Sequence, residues 1–168
     1  MLGRINVGRI VKDHLATLRN DVTGERMRSD YFVFFGLPLL VAFFLVFVLN
    51  LSLDQGAVGI LVTSLSVFAA LLFNLLLLIY DVVRKIERRR QGLKERFLSQ
   101  IYSNISFAIL VSIVSIIVLL VAYFDLDGSW FAPAASFFVY YLVTLFVLTL
   151  FMILKRVHIL LKLEFEDG

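Results

Sequence analysis

Residues 55 to 80 read QGAVGILVTSLSVFAALLFNLLLLIY, 26 consecutive positions without one charged side chain. At about 1.5 Å of rise per residue, a helix over this stretch exceeds the roughly 30 Å of hydrocarbon in a bilayer. Three further uncharged runs accompany it: Tyr31 to Leu53 (23 residues), Phe97 to Phe124 (28) and Gly128 to Leu154 (27). Hydrophobic residues make up 61% of the 168-residue chain, with 17 Phe and two Pro. Soluble domains hold only about 45 to 50% apolar residues, and a soluble fold of this size could not hide the excess. Membrane β-strands are excluded as well, because they alternate apolar and polar residues over about ten positions. The fold class that follows is an all-α integral membrane protein, with four transmembrane helices in a bundle and an N-terminal amphipathic helix.

The organisation expected from these runs is a cytoplasmic amphipathic segment over 1–30 and a first span over 31–53. A second span covers 55–80, a basic cytoplasmic loop or helical hairpin 81–104 and a third span 105–124. The fourth span covers 130–154 and a cytoplasmic tail 155–168. The first run is too long for a signal-peptide core of about 7 to 15 residues, and no small-x-small cleavage site precedes the second span. The chain has no Cys, which removes disulfides, thiolate metal sites and Cys lipidation together.

Of the 16 Lys and Arg, six fall in residues 1 to 30, seven in 81 to 104 and three in 155 to 168. The connections around Asn50 to Gly56 and Asp125 to Ser129 hold no base, but contain Asp54, Asp125 and Asp127. The positive-inside rule therefore puts both termini and the middle loop of this multi-pass protein in the cytoplasm. Trp130, Tyr123, Tyr31 and Tyr80 lie at span ends, where amphipathic rings anchor in the headgroups.

Within residues 5 to 22, Val7, Val11, Leu15, Leu18 and Val22 share about 80° of arc, opposite Arg9, Lys12, Asp13, Arg19 and Asn20. An amphipathic helix with this pattern lies on the membrane surface or on the other helices, ends near Thr23 and Gly24, and leaves Ser29 and Asp30 to cap the first span. In the middle loop, Arg84, Lys85, Arg88, Arg89, Arg90, Lys94 and Arg96 make the local charge +4 against Asp81, Glu87 and Glu95. Basic clusters beside a membrane attract anionic headgroups at about 1 kcal/mol per residue, so these side chains are candidates for contact with membrane lipids or a soluble partner. They lack the interleaved aromatic residues of a nucleic-acid surface.

Inside the second span, Gly59, Thr63, Ser66, Ala70 and Asn74 fall on one helical face, which Asp81 continues. Asn104, Ala108, Ser112 and Ser115 form a counterpart in the third span, with Ala122 in line beyond them. Small residues let helices approach closely in lipid, and hydroxyls or amides can bond across the contact. Both stripes are therefore expected to be buried at helix–helix or oligomer interfaces, either within one bundle or between copies in a homo-oligomer. The other reading is that they line a pore, although no span carries a charge near its centre. The first span is crowded with Phe and is expected to face lipid, bent near Gly36 and Pro38. The fourth span carries Ser136, Tyr140, Thr144 and Thr149.

His14 and His158 stand outside the spans without carboxylate or Cys neighbours at metal-ligand spacing, so each reads as packed or interfacial. No phosphate loop, G-x-S-x-G or H-E-x-x-H motif occurs, so no catalytic, cofactor or metal residue is assigned and an enzyme is not expected.

GERMRSDYFVFFGLPLLVAFFL (24 to 45), SLSVFAALLFNLLLLIYDVVRK (64 to 85) and LKRVHILLKLEFE (154 to 166) are, taken together, similar in arrangement to small four-span bacterial membrane proteins of phage-defence islands. The membrane subunit of Kiwa-type systems is one example. That resemblance implies that the membrane is a bacterial inner (plasma) membrane, and that the chain is an oligomeric subunit there that senses attack on the envelope and controls a soluble cytoplasmic defence protein, or damages the membrane when triggered. It implies no catalytic residue. A channel or transporter unrelated to defence, and a scaffold that tethers a soluble enzyme, are the alternatives.

Overall fold

A computed structural model describes residues 7–18, 28–85, 93–124 and 131–166, and among these every regular element is helical. Helix α1 spans Val7–Ala16, α2 Arg28–Phe43, α3 Gln55–Lys85, α4 Leu93–Phe124 and α5 Phe131–Glu166. Helices α3, α4 and α5, and α2 together with the helical turn at 44–48, are each long and apolar enough to cross a membrane. Because α3 runs to Lys85 and α4 starts at Leu93, both extend into the segment read as a basic loop or helical hairpin. At 36 residues α5 is about 54 Å long, so the expected tail is helix as far as Glu166.

Heptad spacing sets the packing. In α4, Leu98, Ile105, Ser112 and Leu119 form one seven-residue column and Ile101, Ala108, Ser115 and Ala122 a second, all buried. In α5 the columns are Ala135, Leu142, Thr149 and Arg156, and Val139, Phe146 and Ile153, again all buried. A strict seven-residue repeat keeps its seam facing the partner only if the helices wind gently around one another, as in left-handed bundles crossing near +20°. Helix α3 adds a single column, Val58, Leu65, Leu72 and Ile79, and packs on α4. Helix α5 joins α4 to α2, giving the spatial order α3, α4, α5, α2 with α3 and α2 at the edges.

The first span leaves Phe32, Phe43, Phe44 and Phe47 exposed, as expected of a lipid-facing helix, but it is not the most exposed span. Helix α2 buries Phe34, Pro38 and Ala42 at four-residue intervals, continued by Val46 in the π-helical turn that follows, whereas α3 is the least covered span. Only 11% of the most apolar stretch of α3 is buried, against 22% in α2 and 44% in α4. The helix also continues through Gly36 and Pro38; its hydrogen-bond register changes later, in a π-helical turn at Phe44–Val48. The Leu49 amide there bonds the Phe44 carbonyl at 3.0 Å, and Asn50 adopts a φ of 50°, which turns the chain toward α3. Asparagine is among the few side chains that tolerate this left-handed region.

Asp54 starts α3. Its Oδ1 accepts the Ala57 amide at 2.6 Å and its carbonyl accepts the Val58 amide at 3.0 Å, the geometry of an N-cap. Asp54→Ala is expected to lower unfolding free energy in detergent by about 1 kcal/mol, and Asp54→Asn to restore most of it. Equal stability of the Ala variant and wild type would show that the cap contributes nothing.

Candidate functional site

The amphipathic pattern of α1 buries one side of the helix, and its partner is protein. Ile10, Val11, Leu15 and Leu18 pack into the core, while Arg9, Lys12 and Asp13 remain exposed with Arg9 and Asp13 paired at 3.8 Å. Alone, a ten-residue helix is marginal in water. Here its carbonyl end is tied down by side chains from distant elements. Tyr31 of α2 donates to the Leu15 carbonyl at 2.8 Å, and Arg156 of α5 donates to the Thr17 carbonyl at 2.6 Å and the Gln100 carbonyl at 3.4 Å. Helix α1 therefore ends at Ala16, ahead of the expected Thr23 and Gly24, in a tight turn whose Thr17 amide and hydroxyl both reach the His14 carbonyl.

A polar knot lies beneath that turn. Nδ1 of His14 is 2.9 Å from Oδ1 of Asn104, and the Thr17 hydroxyl is 2.9 Å from the same oxygen. One hydroxyl proton serves either Asn104 or the His14 carbonyl at a given moment, so the three groups share their protons. The imidazole lies parallel to the Phe107 ring at a centroid distance of 3.9 Å, with Phe34 tilted against it at 5.1 Å. His14 and Asn104 are both 0% exposed. Nε2 of His14 and Nδ2 of Asn104 have no hydrogen-bond partner among the described residues.

Electrostatics favour the neutral imidazole. A cation at a helix C-terminus normally gains from the helix dipole. Here loss of water outweighs that gain: burial, despite the Asn104 bond, and then the nearby Arg156 charge, lower the His14 pKa from 6.5 to about 4. No set of three His, Cys, Asp or Glu side chains among the described residues could hold a metal ion. The arrangement is a latch that fastens α1 to α2, α4 and α5.

The two stripes expected to be alike differ in place. Asn104, Ala108, Ser112 and Ser115 are each 0% exposed. On α3, Gly59, Thr63, Ser66, Ala70, Asn74 and Asp81 are all exposed, so the chain's own bundle does not cover them. The reason is that α3 offers its apolar column to α4 and turns the stripe away. The expected bonds between helices are also few. Ser112 and Ser115 bond back to the Ile109 and Val111 carbonyls, and Thr63 and Ser66 to those of Gly59 and Val62. Among the small and amide side chains of the spans, Asn104 reaches α1 and the Ser136 hydroxyl accepts the Leu53 amide at 3.1 Å, beside the bonds of Tyr31 and Arg156 described above.

Of the basic loop residues, Arg88, Arg89 and Arg90 lie outside the described residues, as do the side chains of Arg84, Lys85, Lys94 and Arg96. Trp130 is also outside them. Tyr31, read as a headgroup anchor, instead holds α1, while Tyr80 and Tyr123 are exposed. Reasoning from sequence did not assign Thr17, Phe34, Phe107 or Arg156 to a site. The available signal was Arg156 falling on the α5 heptad column, a core register that ordinarily takes an apolar residue.

Comparison with protein-family models, curated proteins and solved structures found no match.

Proposed function

We propose that this chain is a non-enzymatic, multi-pass inner-membrane subunit that assembles with copies of itself through α3 and relays membrane state to a soluble cytoplasmic partner in bacterial phage defence. The observation that carries the assembly is the uncovered α3 stripe. No partner for the Asn74 carboxamide is found among the described residues, and a Cβ built on Gly59 meets nothing within 4 Å. A polar group left unpaired in hydrocarbon costs several kcal/mol, so a second copy presenting the same face stabilises it. Thr63 and Ser66 already bond their own helix, which suits close helix packing better than a water-lined pore.

The relay is assigned to the latch, because it joins the amphipathic α1 to three spans at the basic end of the bundle. Toward its C-terminal end α5 carries Leu154, Lys155, His158 and Leu161 exposed, and this is the surface assigned to the soluble partner. The defence setting is supported by the resemblance in architecture.

Native mass spectrometry of the nanodisc-embedded protein, expressed with its genomic neighbours, tests the assembly. The wild type is expected as a discrete oligomer carrying a soluble protein. Gly59→Leu and Asn74→Leu are expected to shift it at least tenfold toward monomer without loss of helix content, and to abolish phage protection. An unchanged oligomer in both variants would remove the α3 interface. A selective resting ion flux in liposomes would instead favour a channel.

A further inference from the structure

We propose that the His14 latch is a proton-operated release: protonation of the buried imidazole undocks α1 from α2, α4 and α5. The geometry penalises the imidazolium in either arrangement of the shared protons. If Nδ1 donates to the Asn104 oxygen, the second proton goes to Nε2, which has no acceptor among the described residues. If the amide turns its nitrogen toward His14, Nδ1 accepts that bond and a proton arriving there opposes another donor.

The charged groups around the ring point the same way. Arg156 of α5 is the cation beside it. Helix α4 contributes the neutral Asn104 and Phe107, and α2 contributes Phe34 with Tyr31 bonded one residue away at Leu15. On α1 itself Lys12 and Asp13 are exposed on the far side, with Asp13 engaged by Arg9. No carboxylate among the described residues forms an ion pair with His14.

The sign follows from linkage. The docked imidazole titrates at about 4 and the released one near 6.5, so docking is at full strength above pH 6.5 and weakens as pH falls toward 4. Between these limits the docking constant falls about tenfold per pH unit, and below 4 it stops falling. Protons arriving at the basic end thereby become the stimulus of the relay. This deepens the proposed function and rests on it for its consequence, although the release itself is measurable without it.

Hydrogen exchange of the full chain in nanodiscs provides the test, with protection over residues 7 to 18 corrected for the intrinsic rate at each pH. Protection is expected to fall on the order of tenfold between pH 7.5 and 5.5 while α4 and α5 core peptides hold theirs. His14→Gln, which keeps an amide for Asn104 and cannot titrate, is expected to flatten the profile. An unchanged wild-type profile, or the same pH dependence in His14→Gln, would overturn the proposal. Should His14→Gln fail to dock, His14→Phe keeps the ring stack and serves as the second variant. As a measurement that needs no change at His14, 15N-histidine spectra in a His158→Gln background follow the imidazole directly. A docked ring titrating near 6.5 would overturn the release mechanism, and a value below 5 upholds it. Loss of the oligomer with the pH profile intact would reject the α3 interface alone.

Discussion

Arg156→Ala is expected to detach α1 from the bundle, with tryptic cleavage after Lys12 accelerating between ten- and a hundredfold. Lys12 is exposed, but it sits within the helix and is protected while α1 stays folded on its support. The guanidinium donates to the Thr17 and Gln100 carbonyls, and hydrogen bonds to charged groups contribute about 1.5 to 3 kcal/mol each. Removal also leaves the Thr17 carbonyl beneath the turn without this donor. Against this, α1 has only a few apolar side chains and too little length to persist alone. Arg156→Lys should recover part of the protection, because one ammonium reaches a single carbonyl more readily than two in a fixed fork. The same alanine substitution removes the neighbouring charge and so raises the His14 pKa. Unaltered cleavage in Arg156→Ala would mean that packing under α1, and not the clamp, holds it.

The second large effect separates the two small-residue stripes. Ala108 is 0% exposed on an α4 heptad column, where α3 and α5 both pack against the helix. Three added carbons at Ala108→Leu force neighbouring rotamers or the backbone apart, a disturbance of about 1 to 3 kcal/mol in a close-packed core. Ala70→Leu on α3 adds the same group to an exposed face and should leave monomer stability within about 0.5 kcal/mol. Unfolding free energies in mixed micelles check both. Equal losses at the two positions would show that α3 is covered within the monomer.

How far the chain could be read in advance depended on the range of the forces involved. Four spans were legible because each is a local run whose length alone sets its solvent. The α4 stripe was legible too, since Ala108, Ser112 and Ser115 combine small size with one helical face. The α3 stripe looked the same in sequence and has the opposite exposure. A serine or threonine that bonds the carbonyl four residues back is satisfied in a core and in lipid alike, so its presence does not reveal which side faces the partner. The apolar column Val58, Leu65, Leu72 and Ile79 held that information, but was submerged in an apolar background.

The latch was the least legible part. Its contacts join residues 90 and 139 positions apart, and nothing local marks His14 as Asn104's neighbour. Arg156 was read with the other bases as a topology signal, and Tyr31 as an interfacial ring. Phe34 stands in the Phe-rich first span expected to face lipid, whereas it packs against the imidazole.

The clamp on α1 also imposes an order on biosynthesis. Thr17 leaves the ribosome 139 residues before the arginine that holds its carbonyl, an interval on the order of ten seconds at ordinary rates of synthesis. Asn104 is made within that interval, but until residue 156 is made the Thr17 carbonyl lacks its guanidinium donor, and a helix this short cannot sustain itself alone. Seating of α1 thus waits for the fifth helix, so a fastened first helix certifies that the final span has been threaded and packed. A chain stalled before that point has α1 without its Arg156 clamp.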